Sequence, residues 1–483
     1  MLENVQWAAI ASTLVHVLLT AGIALRVIMR HRTSEVAMAW IILVASFPLV
    51  GAGCYLLVGE PWLSTHRAKR RAELAEALRP SIDDLERRFA SRSDSHHPAC
   101  RAISRIGTAS GVSPALGGNR IELLCDADRF FATLIHDIDQ AQVSCDLLFY
   151  IWSEGGKVDA VLEALVRARE RGVRCRILID GVGSAGSLRG RAARRARRAG
   201  VEVRASLPVG LIRGRLRRID IRNHRKLVCI DDRLAYTGSQ NMADPTLFKA
   251  GSGYGPWVDI MTRLEGPAAG QLSAMFEGDW AMEDNRTPDV TGWVPDSQAV
   301  GEDAIQVVPS GPGPLALPLH LMLVAAVHGA QHRITLTTPY FVPDDAFVSA
   351  LQSAVMRGVS CAIVVPSKIN GPLVALASSA YFDVLIDAGV EIHAFDGGLL
   401  HAKTAAVDNV LAIIGSANLD RRSFSLNYEL SLVIHGGAAV RNLMQIHEGY
   451  IQSSRPMRDT AWMQRSTLKR IAENTARLFS PIL

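Results

Sequence analysis

Cysteine is scarce in this 483-residue chain and follows no pattern. Cys54, Cys100, Cys125, Cys145, Cys175, Cys229 and Cys361 are scattered, odd in number and never spaced as CxxC. That excludes a disulfide framework and a thiolate zinc centre. Most of the seven sit in apolar runs, where a buried thiol is the plain reading. Charge is missing from two long stretches near the start. Residues 7–25 are apolar apart from Ser12, Thr13, His16 and Thr20, and residues 36–58 contain no charged side chain. A helix needs about 20 apolar residues to cross the hydrocarbon core, so each run is long enough. The leader also lacks the features of a cleaved signal: it holds Glu3, no Lys or Arg, and no A-x-A site before Arg26.

These absences leave a two-helix transmembrane hairpin over residues 1–60, with spans at about 7–25 and 36–58. The loop between the spans carries Arg26, Arg30 and Arg32; the segment after the second carries Arg67, Lys69, Arg70 and Arg71. The larger basic group follows the second span, so the positive-inside rule puts both chain ends in the cytoplasm. The expected location is the inner (cytoplasmic) membrane, multi-pass, with the rest of the chain on the cytoplasmic face.

Residues 61–114 read as a charged juxtamembrane connector. "HRAKRRAELAEALRPSIDDLERRF" is helix-forming, and "SRSDSHHP" is a polar break. His96-His97 within it fits an exposed linker better than a metal pair. Beyond residue 115 the chain alternates strands and helices. "QVSCDLLFYIW" (Gln142 to Trp152) reads as a strand, "VDAVLEALVRARERG" as a helix and "VRCRILID" as a buried strand. The second half repeats this with "RITLTTPYFV", "AFVSALQSAVMRG" and "VSCAIVVP". Even Arg171-Gly172-Val173-Arg174-Cys175 matches Arg357-Gly358-Val359-Ser360-Cys361. The repeat is about 180 residues long, the size of a duplicated α/β domain and not of a solenoid unit.

Each half carries the same motif. "HRKLVCIDDRLAYTGSQN" and "HAKTAAVDNVLAIIGSAN" both read His-x-Lys, four residues, Asp, six residues, Gly-Ser-x-Asn. One such match is weak; two at identical offsets are not accidental. In extended chain alternate side chains share a face, so His224 pairs with Lys226 and His401 with Lys403. Two ammonium groups can neutralise the non-bridging oxygens of one phosphate. One imidazole can attack phosphorus while the other protonates the leaving oxygen. Ser239, Asn241, Ser416 and Asn418 add neutral hydrogen bonds to the same phosphate. The lysines supply the positive charge, so no metal and no cofactor is expected. The chemistry is phosphodiester exchange through a phosphohistidine.

These residues carry a resemblance. The chain resembles the phospholipase D superfamily, and within it the bacterial cardiolipin synthases. The stretches that carry it are "FYIWSEGG", "GVGSAGS", "IRNHRKLVCID", "GPWVDIMTRLEGP", "VVPSGPGP", "TTPYFVPDD", "LLHAKTAAVD" and "GSANLDRRSFSLNYEL". With the two spans they cover nearly the whole chain. The resemblance implies an α/β fold of two similar phospholipase D-like domains, each a mixed sheet flanked by helices, at residues 115–295 and 296–483. It implies that Asp259 orients His401 and Glu429 orients His224. Asp231 and Asp408, which complete the catalytic motifs, secure the local loops rather than touch substrate. By the same analogy His224 is the nucleophile, although the near-symmetry of the site leaves the two histidines open to exchange.

The implied reaction transfers a phosphatidyl group from one phosphatidylglycerol to another and releases glycerol. Two other classes stay open: a hydrolase on the same site, of lipid or of nucleic acid, and a membrane scaffold with a dead site. The anchor argues against a free nuclease, so no nucleic-acid partner is expected. The partners are phosphatidylglycerol and anionic membrane lipids. The net charge of +5 suits them without choosing among them. The arginine-rich run from Arg189 to Arg225 is either a solvated face or a patch for anionic headgroups, at roughly 1 kcal/mol per basic residue near the surface. The C-terminal apolar residues Leu468, Ile471, Leu478 and Phe479 are expected to pack on the second domain.

Overall fold

The computed structural model describes residues 2–29, 34–55, 59, 65–91, 97–208, 220–284, 293, 295, 297–312, 317–458, 462 and 464–480. The chain divides into two compact units. One is Met1–Ser64 with Gly210–Asp220; the other is Thr65–Val209 with Ile221–Leu483.

In the first unit the leading apolar run forms one long helix, α1 (Leu2–Ile28). Its stretch Ile10–Ile28 has the length and hydropathy to cross a membrane. The second run is not one helix. It forms α2 (Ser34–Ser46) and α3 (Pro48–Cys54). Pro48 is the cause: its ring forbids the residue before it the helical conformation, and Phe47 has ψ 75°. Neither piece alone is long enough to span, so among the described residues one helix meets that test, not the two expected. Residues 56–58, the tail of the second expected span, and Arg30 and Arg32 lie outside the described residues. Ile23, Val27, Val44, Ala52 and Tyr55 are buried together, with Trp40 edge-on to Tyr55 at 5.3 Å.

The second unit opens with α4 (Thr65–Phe89) and α5 (Pro98–Ala109). The sequence reads them as a connector, but they are built into the body. Leu74, Leu78 and Leu85 of α4 and Cys100 and Ile103 of α5 are buried. Arg67 pairs with Glu283, and Arg70 donates to the carbonyl of Ala281 at 2.7 Å. The polar break at 92–96 lies outside the described residues.

The first half then runs β1 (Leu116–Leu124), α6 (Ala127–Gln140), β2 (Ser144–Phe149), α7 (Lys157–Glu170), β3 (Arg174–Asp180), α8 (Arg191–Arg198), β4 (Glu202–Ser206), β5 (Leu227–Ile230), β6 (Leu234–Gly238), β7 (Trp257–Val258), β8 (Met261–Glu265) and α9 (Pro267–Glu283). The second half runs β9 (Asp303–Ser310), α10 (Pro318–Gly329), β10 (Arg333–Thr337), β11 (Phe341–Val342), α11 (Asp345–Met356), β12 (Ser360–Pro366), α12 (Pro372–Ala388), β13 (Glu391–Phe395), β14 (Leu399–Leu400), β15 (Thr404–Val407), β16 (Leu411–Gly415), β17 (Leu419–Asp420), α13 (Arg421–Ser425), β18 (Glu429–His435), α14 (Gly437–Gln452), β19 (Ser454–Pro456) and α15 (Thr467–Arg477).

The duplication shows in the strand order. The first half reads β4-β3-β2-β5-β6-β8-β1 and the second β13-β12-β10-β15-β16-β18-β9, with β19 added at its outer edge. In each half three parallel strands are followed by antiparallel ones. β1 pairs with β9 across the join, so the halves share one mixed sheet. They share core as well. Ile305, Val307, Leu430 and Leu432 of the second half are buried with Leu227, Leu264 and Leu272 of the first. Burying each such side chain stabilises by roughly 1.5–3 kcal/mol, so the halves are joined by core packing as well as by covalent chain. The C-terminal helix does not bury the apolar residues expected of it: Leu468, Ile471, Leu478 and Phe479 are exposed, and Glu473 and Ala476 are its buried residues.

Candidate active site

The spacing of the repeated motif is the length of one β-hairpin. After Lys226 come the four residues of β5, then Asp231 at the turn, then β6, which ends at Gly238 just before Ser239. After Lys403 come β15, Asp408 at the turn, and β16 ending at Gly415. Both turns put two residues in the left-handed region: Asp231 and Asp232 at φ 51° and 55°, Asp408 and Asn409 at 51° and 56°. Asp and Asn tolerate that conformation, and it matches the strand twist. The carboxylate of Asp231 accepts N–H bonds from Gln142, Val143 and Ser144, and that of Asp408 from Gln331, His332 and Arg333. Each aspartate thus ties its hairpin to the start of the neighbouring parallel strand. Four residues of strand span roughly 13 Å. Asp231 and Asp408 therefore stand at the far end from the histidines and do not join them. A recess of about 300 Å³ beside Asp231, lined also by Asp137, Gln140 and Arg233, is at that far end too.

At the near end the halves meet. The His-x-Lys segments precede β5 and β15 and are extended lead-ins, not strand residues. Backbone bonds hold them to partner segments: the His224 N–H donates to the Tyr428 carbonyl at 2.8 Å, and the His401 N–H to Val258 at 2.7 Å. His224 Nδ1 lies 2.9 Å from Glu429 Oε2, and His401 Nδ1 lies 2.7 Å from Asp259 Oδ1. Each histidine is therefore bonded to a carboxylate of the opposite half. With Nδ1–H donating to carboxylate, Nε2 keeps its lone pair. Lys226 and Lys403 each donate to the carbonyl of the histidine two residues earlier.

Ser239 and Ser416 were expected on the substrate phosphate. The structure gives them another task. Ser239 Oγ donates to Asp259 and Ser416 Oγ to Glu429, both at 2.6 Å. A hydroxyl has one proton, and a phosphodiester oxygen only accepts, so each serine braces a carboxylate and has no proton left for phosphate. Glycine before each serine permits the close approach. A Cβ on Gly238 would sit 2.3 Å from the Ile260 carbonyl, and one on Gly415 would sit 2.5 Å from the Leu430 carbonyl. Asn241 accepts the Ile151 N–H through its side-chain oxygen, and Asn418 bonds Asp420.

The group is buried, and burial sets its charges. Burial pushes the His401 imidazole down to about 4, against the opposing pull of Asp259, and lowers His224 in the same way. It also pulls Lys226 down to about 8 and Lys403 to about 7. Burial disfavours the charged form of Asp259, yet His401, Lys403 and the serine bond outweigh it and hold the carboxyl at about 2. At neutral pH the site is two carboxylates and two neutral imidazoles, with a Lys226 that is mostly charged and a Lys403 near its midpoint.

Three neighbours carry no repeat or spacing that marks them in the sequence. The Tyr150 ring stands edge-on to His224 at 4.9 Å, and Trp257 is tilted over His401 at 4.4 Å. Arg225, between His224 and Lys226, is 1% exposed; it donates from Nε to the Glu429 carbonyl at 3.1 Å and from Nη1 to Asp279 at 2.6 Å. The one available signal was that the second motif has Ala402 at the same place.

Comparison with known proteins decides the family. A family model described as "Cardiolipin synthase, PLD-like domain" matches residues 134–280 and 323–450, and "Phospholipase_D-nuclease N-terminal" matches residues 18–60. "Cardiolipin synthase A" of Klebsiella pneumoniae subsp. pneumoniae is 40% identical over 475 residues, covering 96% of both chains. The chain belongs to the bacterial cardiolipin synthases of the phospholipase D superfamily. "Cardiolipin synthase A" of Erwinia tasmaniensis is also 40% identical, again over 96% of both chains. The crystal structure of a phosphatidylserine synthase from Haemophilus influenzae shares the fold, with a TM-score of 0.57 at 13% identity, over 79% of this chain and 97% of that one. As a cardiolipin synthase family member the chain is a phosphatidyltransferase acting on phospholipid.

Proposed function

We propose that the chain makes cardiolipin and glycerol from two molecules of phosphatidylglycerol. His224 Nε2 attacks the phosphorus of the first lipid. The P–O bond to its terminal glycerol breaks, and the glycerol departs with a proton from His401. His401 then takes the proton of the terminal hydroxyl of the second phosphatidylglycerol. That oxygen displaces His224 from phosphorus and closes the new phosphodiester. Lys226 and Lys403 neutralise the non-bridging oxygens, with Asn241 and Asn418 beside them. The observation that carries this reading is the crossed pairing, His224 with Glu429 and His401 with Asp259, with both lysines in one buried group. The anionic phosphodiester also supplies the charge that raises His401 and the lysines again, so substrate itself prepares the acid and the ammonium groups.

The anchor belongs to the same proposal. Helix α1 is one span, and the kinked α2–α3 segment belongs to the second. Arg67, Lys69, Arg70 and Arg71 follow that segment and favour the cytoplasmic side of the inner membrane for the catalytic body. The test is product analysis. Purified full-length enzyme, given only phosphatidylglycerol in neutral detergent with EDTA, releases one glycerol per cardiolipin, and added glycerol drives the reaction backward. Phosphatidic acid as the main product, or a requirement for a nucleotide-activated lipid, overturns the reading.

A further inference from the structure

Large apolar side chains are exposed at the end of the fold that holds the histidines. Val182 follows β3 and is 40% exposed, Leu247 lies between the first motif and β7 and is 57% exposed, and Leu373 opens α12 after β12 and is 42% exposed. All three lie beyond strand ends at which the motif residues also stand. Val182 is two residues from Asp180, whose carboxylate takes the N–H of Asn223, next to His224. The Leu247 loop is tied to both halves. Asp244 at its base bonds the Lys157 and Thr246 N–H groups, Phe248 stands edge-on to Trp257 at 5.1 Å, and Trp257 lies against His401. Lys368, before α12, donates to the Gly253 carbonyl at 3.4 Å.

Two lysines, Lys249 and Lys368, stand among these residues. Lys249 follows Leu247 by two residues and lies over the Phe248 and Trp257 rings. Of the carboxylates in these loops, Asp244 pairs with Lys157 and Asp396 with Arg455, while the exposed Glu154 accepts the Ala192 N–H. Apolar residues that project beside lysines, with aromatic rings behind them, have the composition of an interfacial contact with lipid: apolar groups among the acyl chains, ammonium groups at the phosphates.

We infer that the loop 244–256, with Val182 and the start of α12, is a docking rim that sits in the headgroup region of an anionic bilayer around the mouth of the active site. This rests on the phospholipid-transfer reading for its choice of occupant, because a substrate held in a bilayer must reach a buried His401 and a half-buried His224. The rim lets a phosphatidyl headgroup pass from membrane to site without crossing water, and it keeps water from the phosphohistidine.

The other end of the fold provides the control. Val143 precedes β2 and is 64% exposed, and Met356 ends α11 and is 81% exposed, but both are at the end that holds Asp231 and Asp408. Full-length protein with Cys54→Ser and Cys125→Ser receives a single new cysteine by Leu247→Cys, Leu373→Cys, Val143→Cys or Met356→Cys. Cys54 is exposed and Cys125 half-buried, while the other five thiols are buried. Each variant is labelled with a polarity-sensitive fluorophore and reconstituted in phosphatidylcholine vesicles containing phosphatidylglycerol, with or without spin-labelled lipid. The expected result is several-fold stronger quenching at positions 247 and 373 than at 143 and 356. Equal quenching at all four overturns the inference, and so does a shift that depends on protein concentration without lipid, which would show a second copy covering the rim. The readout needs no turnover, so failure of the product assay and failure of docking are separate results. A Leu247→Asp, Leu373→Asp variant should show an apparent KM on vesicles raised about tenfold or more, with kcat kept on detergent-dispersed lipid. An unchanged KM on vesicles overturns it too.

Discussion

His224 is followed by Arg225 and His401 by Ala402, at the same point of two hairpins of matching design. The two histidines are alike in what the motif fixes: a lysine two residues on, a carboxylate from the opposite half on Nδ1, a serine behind that carboxylate. They differ in what surrounds the motif. Arg225 grips the Glu429 carbonyl, so Glu429 is held by its backbone on one side and bonds His224 by its side chain on the other. Ala402 has no side chain that can do this for Asp259. Tyr150 and Trp257, the rings against the two histidines, both come from the first half. The difference teaches that duplication supplied the geometry twice without copying what surrounds it, and the proposed division between nucleophile and acid rests on that inequality.

The largest effect that can break this comparison is removal of either imidazole. His224→Ala and His401→Ala are each expected to lower kcat by about 10⁴-fold or more, because nucleophile and acid cannot replace each other. Steady-state cardiolipin formation measures it, and near wild-type turnover of either variant breaks the one-site account. Glu429→Gln and Asp259→Asn come next, with kcat expected to fall about 10²–10⁴-fold as the imidazoles lose their fixed tautomer. Arg225→Met sharpens the difference between the halves. It leaves Asp279 charged without its partner, at a cost of about 3–5 kcal/mol in thermal or denaturant unfolding. Adding Asp279→Asn should recover much of that stability but not the kcat that Arg225 protects through Glu429.

The smallest effect is in pH dependence. Lys403 is held at about 7 and Lys226 at about 8, both by burial. As pH rises through these values the lysines lose the charge that draws phosphate. kcat/KM, which reports the free enzyme, is therefore expected to fall above pH 7, while kcat, with phosphate bound, holds to higher pH. Lys403→Arg should move the limb up toward 8, since Arg stays charged, and Lys226→Arg should leave it near 7. A limb that is the same in all three enzymes contradicts these lysine assignments.

What repeats in the sequence was legible. Both His-x-Lys pairs, the strand–helix alternation and the halves that carry them came from spacing alone. The carboxylate partners came from resemblance, because Asp259 and Glu429 stand at different distances from their motifs and no periodicity marks them. The unrepeated contacts were not legible. Arg225 with Asp279, and Arg67 with Glu283, join residues 54 and 216 apart, with no counterpart among the described residues of the second half. The break at Phe47 was within reach, since Pro48 interrupts an otherwise unbroken apolar run. The task of Ser239 and Ser416 was not. A serine beside a phosphate site reads as a phosphate ligand until the carboxylate that takes its proton is known.

The claim that unequal surroundings separate the two histidines is tested most directly by where phosphorus rests in mid-reaction. Full-length wild-type enzyme and the His401→Asn variant, which slows both the departure of glycerol and the second step, are mixed with phosphatidylglycerol labelled at phosphorus, quenched in alkali at times up to the first turnover of each and digested. The account predicts phosphohistidine on the peptide that contains His224. Label on the peptide containing residue 224 should also appear briefly in the wild type. Label on the His401 peptide of the wild type, or cardiolipin formed with no labelled peptide at any time, would contradict it.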